Sequence, residues 1–213
     1  MRDVQTVSRR KKKHSSGCGG CLGKMLSFLI FLSIIIVVGY RIFQSSDLIE
    51  RLLKTQYPIK YQDYVEECAR EFSLEKELVF AIIRTESKFD PYAVSKTGAR
   101  GLMQIQTETA KDCATTLKLT DFTPDDLFDP RVNIHLGCYY FSRLLHRYNG
   151  NVMLAVAAYN GGPGNVEKWL KDKEYTNEHG DLVQIPFLET RNYVARVTQA
   201  YEKYRQLYAV SNE

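Results

Sequence analysis

The sequence predicts an all-α chain in which one apolar helix precedes a helical domain. Three observations carry this. Apolar residues recur at i, i+3, i+4 and i+7 in most segments, and no run alternates with the period of two that a half-buried strand needs. Helix punctuation returns along the chain, with Ser, Thr or Asn before an apolar period and Gly or Pro after it. Met25 to Tyr40 (MLSFLIFLSIIIVVGY) holds sixteen residues without a charge.

The apolar run comes first. At 1.5 Å per residue it covers roughly 24 Å of a hydrocarbon core roughly 30 Å thick. Leu22 and Ile42-Phe43 extend it, and Lys24 and Arg41 can snorkel to the headgroups. No amphipathic period modulates it, as one would in a core helix. Its exit, Gly39-Tyr40-Arg41, lacks the small-x-small pattern of a cleaved signal. The reading is a single-pass transmembrane anchor over 25–43, behind a basic cytoplasmic tail over 1–24. Cations ahead of the span place the N-terminus in the cytoplasm and residues 44–213 outside the cell membrane.

The charge distribution agrees. The 213 residues carry 29 Lys+Arg and 25 Asp+Glu, a net +4. Residues 1–24 hold seven cations and one anion, so the tail is +6 and the remaining chain −2. A nearly neutral bulk argues against a nucleic-acid partner for the domain. With 44% apolar and 25% charged residues, global disorder is excluded.

The later elements follow in order. Residues 44–59 form a juxtamembrane stalk, with Leu48, Ile49, Leu52 and Leu53 at helical spacing and Pro58 as terminator. A compact domain spans 60–208, and 209–213 is a tail. In the domain, Tyr61, Tyr64, Val65, Cys68, Ala69 and Phe72 mark one helix face. Ser73 is the expected N-cap of a helix over 74–87. Helices follow near 107–117, 131–148, 152–159 (capped by Asn151), 163–171 and 189–208, the last turning Val194, Val197, Tyr201, Tyr204 and Tyr208 inward. Residues 172–186 read as a loop or small hairpin. Cys68, Cys113 and Cys138 lie on apolar faces and read as small buried hydrophobes, while Cys18 and Cys21 precede the anchor. His14, His135, His146 and His179 are scattered, so neither a metal nor a cofactor is expected.

Glu86 breaks the pattern. Leu78, Val79, Ile82 and Ile83 set the face on which it falls, at the C-terminal end of the helix. Desolvation and the negative end of the helix dipole both raise a carboxyl pKa there, toward the range of a general acid. The competing reading is a structural Glu paired with Arg84 or Lys88, or one merely solvated at a fraying helix end. Two further segments are rich in glycine beside polar groups: Gly98–Ile105 (GARGLMQI), with Met103 and Gln104, and Ala158–Gly164 (AYNGGPG), with Tyr159 and Asn160. Neither has the spacing of a phosphate-binding loop.

Glu86-Ser87, GARGLMQI, AYNGGPG and Glu189–Val194 (ETRNYV) occur in that order. Together they resemble the lytic transglycosylase family with the soluble-lytic-transglycosylase (SLT) catalytic domain, related to goose-type lysozyme, over about residues 60–208. The resemblance implies a lysozyme-like fold. It implies peptidoglycan glycan strands as substrate, cut at the β-1,4 bond from N-acetylmuramic acid to N-acetylglucosamine. It makes Glu86 the catalytic acid/base and places Ser95, Met103, Gln104, Tyr159, Asn160, Glu189 and Tyr193 along the glycan cleft. One good carboxylate, where most glycosidases use two, fits substrate-assisted closure of the muramyl 6-hydroxyl onto C1, giving a 1,6-anhydro end. A hydrolytic muramidase on the same fold and a non-catalytic wall-binding module are the alternatives.

Overall fold

The computed structural model describes residues 19–43 and 46–208; Cys18, the tail as far as residue 18 and the segment 209–213 lie outside the described residues. Contacts divide the chain into two units, Met1–Arg51 and Leu52–Glu213.

In the first unit, α1 runs Gly19–Phe43 and α2 begins at Ser46. The stretch Gly23–Phe43 is long and apolar enough to cross a membrane. Its large apolar side chains are all exposed, from 43% at Leu32 to 73% at Phe43. A helix of a soluble core carries an apolar stripe on one side, whereas this run is apolar all round.

The second unit opens with the last turn of α2, which ends at Gln56. Its other elements are α3 (Gln62–Glu71), α4 (Lys76–Ser87), α5 (Thr107–Thr116), a 3-10 turn (Pro124–Phe128), α6 (Pro130–Arg147), α7 (Val152–Gly161), α8 (Pro163–Lys171) and α9 (Leu188–Tyr208). Among the described residues there is no strand, only isolated bridges Val94–Arg100, Arg100–Ile105 and Thr176–Leu182. The last of these, flanked by bonds from the Val183 N–H to the Tyr175 carbonyl at 2.8 Å and from the Asn177 N–H to the Asp181 carbonyl at 3.0 Å, lies in the 172–186 segment read as a loop or small hairpin.

The core is built round two helices that are apolar on nearly every side. Leu78 to Ile83 of α4 and Leu154 to Ala158 of α7 are all buried. Helix α9 packs against both, and α6 packs on α3, α5 and α7. Most of the expected faces appear: Val65, Cys68 and Ala69 of α3 and Val194, Val197 and Tyr204 of α9 are buried, while Tyr64 is exposed and Tyr201 and Tyr208 are half-buried. The three cysteines of this unit are buried free thiols.

Helix ends follow capping chemistry, with one correction. Asn151 accepts from the Leu154 N–H at 3.1 Å, as expected. Asp129 caps α6 through the N–H groups of Arg131 and Val132, at 2.8 and 3.1 Å. Ser73 is not the cap of α4. It takes a left-handed conformation, φ 53°, while the Leu74 N–H bonds the Ala69 carbonyl at 2.8 Å. That is the closing bond of a Schellman turn, so Ser73 ends α3 and Glu75 takes the cap position of α4.

Residues ahead of α3 also pack on α9. Tyr57 is buried, with its ring edge-on to Tyr204 at 5.6 Å and the Arg84 guanidinium 4.0 Å from its centroid. The Tyr204 and Tyr208 hydroxyls donate to the Pro58 and Tyr57 carbonyls, at 3.0 and 2.8 Å. These contacts join a lone tyrosine to a helix end far along the chain, which periodicity does not reveal.

Candidate active site

Glu86 lies in the last turn of α4. Two consecutive non-glycine residues then adopt left-handed backbone, Lys88 at φ 53° and Phe89 at φ 66°. Ser87 holds this exit: its hydroxyl donates to the Ile83 carbonyl at 3.2 Å and accepts from the Phe89 N–H at 3.1 Å. The Phe89 side chain is buried, so packing anchors the strained turn.

The Glu86 carboxyl is partly buried, and Tyr193 on α9 donates its hydroxyl to Oε1 at 2.6 Å. Burial pushes the Glu86 pKa up to about 7. The Tyr193 hydrogen bond and the positive charge of Arg196 pull the other way. Burial and the neighbouring Glu86 carboxylate hold the Tyr193 phenol well above its ordinary pKa, so it stays a donor. Neither alternative partner pairs with Glu86. Arg84 donates to the Gln56 carbonyl at 3.0 Å, and Lys88 is exposed. No ion pair holds Glu86 among the described residues.

Tyr159 makes a different contact. Its hydroxyl donates to the Met103 carbonyl at 2.7 Å, tying α7 to the loop that carries Gln104. Its ring packs on Tyr140 and Phe141, with centroids at 5.5 and 5.9 Å. Burial, reinforced by the Glu86 charge, raises its phenol pKa well above the ordinary value. No hydrogen bond joins it to Glu86 among the described residues.

Loop 98–105 is rigid for reasons its glycines explain in part. At Gly101, φ 73°, a Cβ would meet the Leu127 carbonyl at 2.1 Å and Asn133 Nδ2 at 2.2 Å. Asn133 is fully buried in α6. Its Oδ1 accepts from the Met103 N–H at 2.8 Å, and its Nδ2 donates to the Arg100 and Leu127 carbonyls at 2.9 and 2.8 Å. Gln104, also left-handed at φ 47°, spends both amide protons on the Ala93 and Gly101 carbonyls, at 3.0 and 2.9 Å. Its amide oxygen remains to meet a ligand N–H or hydroxyl.

The remaining sequence-predicted residues divide. Asn160, one residue beyond Tyr159, is half-buried and makes no side-chain hydrogen bond to the protein. Met103 has no accessible surface; its sulfur packs so closely on α6 that a Cβ at Gly137 would lie 2.4 Å away. It therefore supports the loop from beneath and does not line a cleft. Ser95 does not bond Glu86; its hydroxyl accepts from the Ala99 N–H at 2.9 Å and lies 3.0 Å from Thr97 Oγ1. Glu189 is exposed in the first turn of α9. Asp90 is exposed too, accepting from the Tyr92 N–H at 2.9 Å, and neither it nor Glu189 is bonded to Glu86 among the described residues.

Sequence reasoning missed Asn133. The available signal was an amide on the apolar stripe of α6, beside Leu136 and Gly137. Such a residue is kept inside only when all its bonds are made.

The arrangement is one carboxyl that holds its proton near neutral pH, one oxygen of it fixed by a tyrosine, beside a loop and a helix corner that offer amide groups. The family model for the transglycosylase SLT domain matches residues 63–181. The soluble lytic murein transglycosylase of Salmonella typhimurium is 35% identical over 154 residues, 71% of this chain and 24% of that protein. The membrane-bound lytic murein transglycosylase C of Yersinia pestis is 36% identical over 168 residues, 69% of this chain and 47% of that one. The X-ray structure of an inactive Glu-to-Gln mutant of lytic transglycosylase Slt from Pseudomonas aeruginosa superposes with a TM-score of 0.66, at 38% identity. It covers 72% of this chain and 25% of that one. The chain thus spans about a quarter of the soluble relatives and about half of the membrane-bound one. With a family model over most of its helical unit and a lysozyme-like arrangement of helices around Glu86, the chain belongs to the transglycosylase SLT domain family.

Proposed function

We propose that the protein is a membrane-anchored peptidoglycan lytic transglycosylase that leaves 1,6-anhydro-muramyl ends. The observation that carries this is Glu86: a lone carboxyl, raised to about 7 by burial and bonded by Tyr193, in the family's fold. Protonated Glu86 gives its proton to the glycosidic oxygen as the bond to the muramyl C1 breaks. The resulting carboxylate takes the proton of the same sugar's 6-hydroxyl, which closes onto C1. No water is consumed. An aligned intramolecular hydroxyl acts at an effective molarity of about 10⁵ M or more, which favours closure over hydrolysis.

The contacts support the following positioning roles. Tyr193 occupies Oε1, so Oε2 faces the reacting oxygens. Gln104 and Asn160 supply amide groups for the N-acetyl and hydroxyl groups of the sugars. Tyr159 locks the loop to α7 through Met103. Ser95 and Glu189 extend the cleft at its rim. The soluble and membrane-bound relatives are named for lytic murein transglycosylation, and a glutamate-to-glutamine change inactivates the Pseudomonas enzyme. Glu86→Gln is the same kind of substitution in this chain.

Residues 25–43 serve as a single-pass anchor with a cytoplasmic N-terminus, the +6 tail fixing the orientation and contacting anionic lipid. Residues 44–59 are then the stalk and 60–208 the catalytic domain outside the membrane. A C-terminal reporter active only in the cytoplasm must be silent; activity there would reverse the topology. Mass spectrometry of muropeptides released by the full chain tests the chemistry. Anhydro ends are expected, lost with Glu86→Gln, whereas reducing ends would make the enzyme a muramidase.

A further inference from the structure

A cavity of about 520 Å³ opens beside the active site, lined in part by Thr109, Cys113, Tyr140, Arg143 and Pro163. It adjoins the catalytic corner at two points. Tyr140 packs its ring on Tyr159, and Pro163 belongs to the AYNGGPG turn. The volume is that of a small-ligand site and its lining is largely polar.

The charges in it are unequal in their partners. Arg147 lies in the cavity but is tied to Glu167, with Nε at 2.8 Å from Oε1. Arg143 is exposed and makes no ion pair among the described residues, although Asp112 lines the same cavity. Its close contacts are the Cys113 thiol and the face of Tyr139, 5.8 Å from ring centroid to guanidinium, and the Asp112 carboxylate forms no salt bridge with it. A guanidinium left with aromatic and thiol neighbours at the mouth of a polar cavity keeps its fork of donors for a carboxylate.

We propose that this cavity is an accessory subsite in which Arg143 binds a carboxylate borne by the glycan strand away from the scissile bond. The site rests on the transglycosylase reading for its choice of polymer. Two parts of peptidoglycan carry that chemistry, the stem peptide and the bare lactyl group left when the peptide is removed. A neutral polymer of N-acetylglucosamine carries neither.

The test is equilibrium binding by the full chain in detergent, in a Glu86→Gln background so that no probe is cut. Three probes are compared: peptide-bearing glycan oligomers, the same oligomers stripped of peptide by an amidase, and chitin oligosaccharides. Arg143→Ala is expected to weaken binding of a carboxylate-bearing probe about tenfold and leave chitin binding unchanged, with Arg143→Lys intermediate. Loss confined to the peptide-bearing probe assigns the stem peptide; loss with the stripped probe assigns the lactyl group. An unchanged affinity for both carboxylate-bearing probes, or an equal loss for all three, overturns the subsite. A chain that binds as expected while its wild type leaves peptidoglycan uncut would sink the catalytic reading and not this one.

Discussion

Helices α4 and α9 meet through a tyrosine–carboxylate hydrogen bond at each end. At one end Tyr201 donates to Glu75 at 2.5 Å; at the other Tyr193 donates to Glu86 at 2.6 Å. The bonds are alike in length and chemistry, yet their surroundings differ. Glu75 is exposed at the N-terminus of α4, where the helix dipole welcomes negative charge. Glu86 is partly buried at the C-terminus, where the dipole opposes it and desolvation dominates. One pair is a solvated strap between two helices. Its twin is a carboxyl that keeps its proton to about pH 7. The same pair of groups therefore sits in opposite surroundings at the two ends of one helix.

The largest expected effect breaks this contrast at the buried end. Glu86→Gln keeps shape and removes the proton, so glycan cutting should fall by about 10²–10⁴-fold, the usual worth of a general acid. Release of muropeptides at near wild-type rate would remove Glu86 from the reaction.

Tyr193→Phe sharpens the contrast. It deletes a hydrogen bond to the charged form, which had lowered the Glu86 pKa, so the pKa must rise further. A bond to a charged group is worth about 1.5–3 kcal/mol, or roughly one to two pH units. The alkaline limb of the rate profile, set near pH 7 by loss of the acid's proton, should move up by about that much. A limb that stays in place would mean Glu86 does not control it.

Stability should carry the same signature. The folded pKa of about 7 lies above the ordinary 4.5, so between those values the native state holds a proton that the unfolded chain has released. Stability is therefore full below about pH 4.5 and falls as pH rises through 7, by at most about 3 kcal/mol. Thermal unfolding of Glu86→Gln should lack this fall, and equal pH slopes for the two proteins would contradict it.

The smallest effect belongs to the exposed end. Tyr201→Phe removes a bond to a solvated carboxylate and should cost no more than about 1 kcal/mol. The rate profile should not move. A shifted profile would mean that the two ends of the α4–α9 contact are coupled.

Much of the fold was legible because its signals are local. Period 3.6 located each helix from 107 onward to within a residue or two, and Asn151 announced its cap. Ser73 misled because a left-handed C-terminal turn and an N-cap draw on the same small polar residues. The Pro124–Phe128 turn went unseen, being too short to show a period.

For the site, the sequence by itself determined that Glu86 stands at the end of an apolar helix face and that the glycine-rich segments follow it in a family order. It also determined the apolar run of α1, which no fold is needed to read. Only the tertiary structure decided which tyrosine holds the acid, since Tyr193 meets Glu86 across more than a hundred residues and Tyr159 turns instead to Met103. It moved Met103 from the cleft to the interior and brought Asn133 beneath the loop. The physical reason is that helix periodicity is written in neighbours three and four apart, whereas hydrogen bonds between helices depend on how whole faces pack.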